Sequence, residues 1–94
     1  MRLDLYLSVT GLVKRRAVAR ELCDSRKVKV NDQVAKPSRA VAPGDLVAIS
    51  LSSGYKLVEI TGLPQKSISK KEGERYYLIK EFIPREKARE RDSI

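Results

Sequence analysis

Lys14, Arg15, Arg16 and Arg20 place four cations within seven residues, and this is the first group in the chain whose chemistry can be named. Arg16 and Arg20 are one helical turn apart, so on a helix they share a face. The planar, five-donor fork of arginine bridges adjacent phosphate oxygens or stacks on an exposed base, which lysine does not do. The chemistry on offer is therefore anion binding. Bond-making chemistry has little to work with, because the chain holds no histidine and one cysteine, Cys23. A Ser-His-Asp or Cys-His nucleophile, a Cys/His zinc site and an internal disulfide are all excluded within these residues. Binding without catalysis is the expectation, with no cofactor and no metal, and Cys23 reads as a small buried hydrophobe.

The charge that surrounds this cluster is uneven. The 94 residues carry 20 Lys and Arg against 12 Asp and Glu, a formal charge of +8. Residues 1–30 hold net +5, residues 31–84 net +2 and residues 85–94 net +1. A field of that sign attracts polyphosphate partners and speeds their arrival, without choosing between nucleic acid and an anionic membrane. No apolar run approaches the ~20 residues that span a bilayer, and Met1-Arg2-Leu3-Asp4 opens no signal region, so a cytoplasmic protein with no membrane partner is expected. The length allows one domain with a small core.

The elements that must position these cations read as helices first and strands afterwards. A short helix fits about Arg2 to Ser8, broken near Thr10-Gly11. A second is predicted over about Lys14 to Ser25, because Ala19, Leu22 and Cys23 recur at i, i+3 and i+4. That stripe faces inward, and Arg16 and Arg20 lie on a neighbouring face. An i, i+4 pair of Arg20 with Asp24 is compatible with this and worth only about 0.2–0.5 kcal/mol. After Lys27 the period falls to two: Val28 and Val30, an Asn31-Asp32 turn, and Val34-Ala35. Pro37 and Pro43-Gly44-Asp45 punctuate a loop before a central strand at Leu46 to Leu51. Strands at Lys56 to Ile60 and Tyr76 to Ile79 follow, with a polar, mobile loop from Pro64 to Glu74 between them. The fold class is α+β, with two or three short N-terminal helices packed on a small, mostly antiparallel sheet. The domain boundaries are 1–82 for the globular part and 83–94 for a charged tail, either a solvated helix or disordered.

The order of these pieces resembles a known family. A helix, a basic helix, Val28-Lys29-Val30-Asn31, then Lys36-Pro37-Ser38, then Pro43-Gly44-Asp45 before an apolar strand is similar to the alpha-L RNA-binding motif, named after the fourth protein of the small ribosomal subunit. Within it, Met1-Arg2-Leu3-Asp4 and Lys14-Arg15-Arg16 resemble the RqcP-like ribosome quality-control factors, and also the small heat-shock proteins that rescue stalled large subunits. The resemblance implies binding to large-subunit rRNA and to peptidyl-tRNA on the large ribosomal subunit after a stalled ribosome has split. The tRNA is then held in the P site while a partner factor extends the nascent chain without a template. Arg2 and Arg16 match RNA-contacting arginines of the family. Lys14, Arg15 and Arg20 join them on physical grounds, with Arg26 and Lys27 extending the basic surface. The sheet is expected to be a rigid back wall, and the protein a monomer off the ribosome.

The family pattern has glycine where this chain has Arg26 and Asp32. Glycine accommodates positive φ, a conformation that costs other residues roughly 1 kcal/mol or more, with Asp better tolerated than Arg. Either the second helix ends differently here, which is the expectation, or Arg26 accepts the strain and adds a cation beside the RNA face. Other readings remain for other groups. Without the family match Arg2 reads as a loose terminal charge, and cation runs are commonly solvated faces. Tyr55, Tyr76 and Tyr77 could stack on bases, although tyrosines in strands more often pack. Lys70-Lys71 and the cations from Arg85 to Arg91 are interleaved with acids and read as solubility, with an auxiliary rRNA contact as the second reading. Two alternative functions stand beside the ribosomal one. The domain could be the RNA-binding head of an RNA-modifying system, against which the lack of a catalytic motif argues, or a docking module for an acidic protein, which RNase treatment would distinguish.

Overall fold

Leu3, Tyr6 and Leu7 fall at i, i+3 and i+4, and all are fully buried on one side of the first helix, α1 (Leu3–Val9). The sequence is too crowded with apolar residues for that stripe to stand out, but the computed structural model resolves it. It describes residues 1–65 and 68–85. The second helix, α2 (Arg16–Asp24), presents Ala19 and Cys23 inward and packs on α1. It is shorter than the predicted Lys14–Ser25 span, and Leu22 is only partly buried against the core.

The sheet follows as β1 (Val28–Val30), β2 (Gln33–Val34), β3 (Leu46–Leu51), β4 (Gly54–Ile60) and β5 (Tyr77–Pro84). The strands are antiparallel throughout, in the order β2-β1-β3-β4-β5. Alternation gives the sheet two unlike faces. Val28, Val30, Val47, Ile49, Val58 and Ile60 are fully buried on the helix side. This is the expected α+β architecture, with a last strand longer than Tyr76–Ile79. β5 runs across the boundary placed at residue 82, and the charged tail lies outside the described residues from 86 onward.

Two junctions correct the sequence reading. The stretch from Pro64 to Glu74, expected as a mobile loop, contains a short helix, α3 (Lys70–Gly73), followed by a 3-10 turn at Glu74–Tyr76. The Ser69 side chain accepts from the Glu72 N–H to begin it, and Gly73 sits so close to the end of α1 that a β-carbon there would collide with the Thr10 carbonyl. The Tyr6 hydroxyl donates to the Tyr76 carbonyl at 2.6 Å and joins this segment to the core. The second correction concerns Arg26, which takes the left-handed conformation after all, at φ 63°. The Lys27 N–H donates to the Leu22 carbonyl at 2.9 Å and the Arg26 N–H to the Cys23 carbonyl at 3.0 Å. This double closure is the Schellman motif, which needs a left-handed residue just past the helix and ordinarily has glycine there. The helix ends as the family pattern requires, and Arg26 carries the strain.

Asn31 and Asp32 also have positive φ, at 50° and 70°, and form the two-residue turn that matches the twist of a β-hairpin. The Asn31 side chain accepts from the Leu46 N–H at 3.0 Å and donates to Asp45 at 3.1 Å. Asp45 in turn accepts from the Ala42 N–H at 2.9 Å. The asparagine ending Val28-Lys29-Val30-Asn31 and the aspartate of Pro43-Gly44-Asp45 are thus bonded to each other. The two motifs act as one fastening between the hairpin and the loop that leads into β3.

Candidate nucleic-acid interface

The site is built around a carboxylate. Asp4 lies in the first turn of α1 and its side chain is 0% exposed. Helix starts leave backbone N–H groups without partners, and the positive end of the helix favours a negative charge. Here every N–H of the first turn is satisfied. Leu3 and Asp4 donate to the Arg39 and Pro37 carbonyls, Leu5 donates to the Asp4 carboxylate at 2.8 Å, and Tyr6 donates to the Arg2 carbonyl.

Three arginines converge on that carboxylate. Arg2 approaches with Nε at 3.1 Å from Oδ1 and a terminal nitrogen at 3.3 Å from Oδ2. From α2, Arg16 places Nε 3.3 Å from Oδ2, and Arg20 places Nε 3.8 Å from the same oxygen. Their side chains remain 50%, 45% and 54% exposed respectively. Each arginine is therefore paired with the buried carboxylate while about half of its side chain remains in solvent. Burial pushes the Asp4 carboxyl upward, but the hydrogen bonds from Arg2, the Leu5 N–H and Arg16 outweigh it, and the net shift is down. The carboxylate stays ionised and the cluster carries net +2. Arg2 is fixed by the backbone as well. It forms an isolated bridge with Ala40, and the Val41 N–H donates to the Met1 carbonyl, so the reading of a loose terminal charge fails.

The other predicted residues fall in two further places. Lys14 and Arg15 are exposed in the segment before α2, where Arg15 is the cap residue in extended conformation. The start of α2 has no side-chain cap and no acid in its first turn. Cations at this end oppose the helix dipole, each by about 0.3–1 kcal/mol when exposed, so the start of α2 is electrostatically suited to an anion. Arg26 and Lys27 lie beyond the other end of α2 and line a groove with Lys29 on the far face of the sheet. Arg20 pairs with Asp4, not with Asp24, among the described residues. The residue that sequence reasoning missed is Asp4 as organiser. Its signal was an acid beside Arg2 in an otherwise apolar first turn, and nothing local shows that Arg16 comes to meet it.

Cys23 is buried, and burial first, then Asp4 and Asp24, push its thiol up to about 11. No group of three or more Asp, Glu, Cys or His side chains able to hold a metal occurs among the described residues, and no helix there is long and apolar enough to cross a membrane.

Comparison with known proteins places this geometry. The S4 domain family model matches residues 1–47, which span α1, α2, the hairpin and the loop up to the start of β3. The chain is 37% identical over 84 residues to the RQC P-site tRNA stabilizing factor of Halalkalibacterium halodurans, covering 89% of this chain and 94% of that one. Against the factor of the same name from Bacillus subtilis it is 39% identical over 83 residues, covering 86% and 94%. This chain belongs to the RQC P-site tRNA stabilizing factor family. Among solved structures, the trimeric heat shock protein 15 of Vibrio cholerae matches with a TM-score of 0.79 and 25% identity, covering 99% of this chain and 90% of that one. Membership in this S4-domain family agrees with the resemblance read from the motifs, and it covers the sheet as well as the helices.

Proposed function

We propose that this protein binds the large ribosomal subunit through rRNA and holds peptidyl-tRNA in the P site after a stalled ribosome has split, without catalysing a reaction. The single observation that carries the reading is the set of arginines fixed by Asp4, in a chain whose relatives are named for stabilising P-site tRNA. Arg16 and Arg20 approach the carboxylate through Nε while about half of each side chain stays exposed, which leaves guanidinium donors available to bridge phosphate oxygens or to lie on an unstacked base. Lys14 and Arg15 add a second phosphate contact at the uncapped start of α2. In this reading Arg2, Lys14, Arg15, Arg16 and Arg20 form the contact surface, and Arg26 and Lys27 extend it around the end of α2. The protein works in the cytoplasm and is a monomer off the ribosome.

Sedimentation of the tagged protein through a gradient of lysate containing split, stalled subunits tests the proposal. Co-migration with large subunits, strongest for those carrying peptidyl-tRNA, is the expected result. Exclusive association with small subunits, or with no ribosomal particle, would refute it. The likeness to the Vibrio heat shock protein favours a second reading, rescue of stalled large subunits of the heat-shock type, and a preference for empty large subunits would select it.

A further inference from the structure

The face of the sheet turned away from the helices is built differently from a plain back wall. Lys29, Ala48 and Leu57 form one cross-strand row, and Ser50 and Tyr55 are partners in the next. Ala48 leaves a hollow between its larger neighbours, and Tyr55, half-buried, walls it. The Tyr55 ring borders a groove of about 130 Å³ lined by Arg26, Lys27 and Lys29, with Asp32 the acid among its lining residues. It also borders a groove of about 400 Å³ whose lining combines Leu46, Ala48 and Leu57 with the turn residues Asn31 and Asp32. Tyr55 thus lines both a cationic trough of net +2 and a neighbouring, largely aliphatic groove that shares Asp32 and Ala48 with it.

We propose that this face is a second RNA site, one that takes a single-stranded segment with an unstacked base on Tyr55 and its flanking phosphate among Arg26, Lys27 and Lys29. Charge complementarity selects the occupant. A protein segment seated on the aliphatic groove would leave three cations beside it, whereas a nucleotide has a π face for the ring and an anion for the trough. Duplex RNA fits poorly, because its base faces are stacked and out of reach. The strain at Arg26 is consistent with the same role: the family's glycine would relax the turn, and this chain holds a cation at the groove instead. The proposal extends RNA binding to another surface, and it stands or falls independently of which ribosomal particle is bound.

Binding of the full chain to a fluorescein-labelled oligouridylate of about eight nucleotides, a length within single-strand site sizes, is the test. Tyr55→Leu is expected to weaken it by roughly 5- to 150-fold, the range for loss of one stacked base, while Tyr55→Phe binds like the parent. Lys29→Gln is expected to lower the dependence of log K on log salt by roughly 0.7, one single-strand phosphate contact. Amide shifts on adding the oligomer are expected at Lys29, Ala48 and Tyr55, and are expected to persist in an Arg16→Gln/Arg20→Gln variant that no longer sediments with large subunits. Parent-like binding by both Tyr55→Leu and Lys29→Gln, or shifts confined to α1 and α2, would overturn the proposal. Concentration-dependent shifts at Ala48 and Leu57 without RNA would overturn it in favour of a second copy of the chain.

Discussion

The Asp4 carboxylate and the Arg16 guanidinium, on two different helices, meet at 3.3 Å with the carboxylate wholly inside the protein and the guanidinium half outside. That pair fixes the spacing of α1 and α2 and the heading of the arginine at once. Stability and, in the proposed function, RNA recognition are therefore coupled through one acid.

Replacing Asp4 with Asn separates charge from geometry. The variant keeps the shape, gains one unit of positive charge and leaves Arg2, Arg16 and Arg20 without their common partner. Loss of charge-assisted hydrogen bonds to half-exposed partners predicts about 1–3 kcal/mol less stability in urea unfolding. On large subunits, affinity is expected to fall despite the added charge. Tighter binding by Asp4→Asn would mean that the arginines act only as a diffuse field.

Arg16→Lys keeps the charge and removes the fork. It is expected to lose at least about 1 kcal/mol on the ribosomal target, with binding to random RNA barely changed. For Arg16→Ala, loss of an exposed charge alone would cost no more than about 0.5 kcal/mol. Its contact with Asp4 raises the expected cost to about 1 kcal/mol, still short of unfolding the domain. Equal target affinities for parent and Arg16→Lys, measured by filter binding at fixed salt, would move specific recognition elsewhere.

Arg26→Gly relieves a non-glycine residue of φ 63°. The relief of roughly 1 kcal/mol or more is partly offset by the greater freedom of glycine in the unfolded chain, so a net gain of about 0.5 kcal/mol is expected. The same substitution removes a cation from the groove beside Tyr55. A variant more stable in thermal melts yet weaker on single-stranded RNA is the expected combination, and a loss of stability would show that the Arg26 side chain holds the turn.

The pH dependence has two limbs with opposite signs. Asp4 is depressed in the folded state, so its contribution is complete above the ordinary value of 3.8 and is lost as pH falls through the lower folded value. Cys23 is raised from 9.0 to about 11, so its contribution is complete below 9.0 and is lost as pH rises toward about 11. Denaturation midpoints should accordingly plateau through neutral pH and fall at both ends. Cys23→Ala should flatten part of the alkaline limb, and rapid alkylation of native protein at neutral pH would contradict a buried thiol.

Local patterns made much of this fold legible. Val28, Val30, Val47 and Ile49 alternate and occupy the buried face their spacing implies, and the Asn31-Asp32 turn forms where its residue types demand. The arginines of α2 were visible as a face because Arg16 and Arg20 are one turn apart. What joined them to Arg2 was not visible, because a contact spanning twelve residues between two helices leaves no periodic trace. The α3 segment escaped notice for a related reason. Its ordering comes from the fit of Gly73 against the end of α1 and from the Tyr6 hydroxyl, both long-range contacts, while its own composition reads as loop. At Arg26 the family's glycine pointed to the correct backbone, and weighing local strain alone pointed away from it.

The acid at the centre of the arginine cluster also shapes the thermodynamics of encounter. A free arginine side chain loses about 1.5–2 kcal/mol of rotamer freedom when it is immobilised, and a mobile basic surface incurs that loss at the moment of binding. Here Arg2 and Arg16 are already hydrogen-bonded to Asp4. Their ordering is completed when the chain folds, leaving a smaller entropic penalty for the association step. Calorimetry of the parent against Asp4→Asn should therefore show the difference chiefly as a more unfavourable entropy in the variant, a signature of arginines that arrive at RNA already in place.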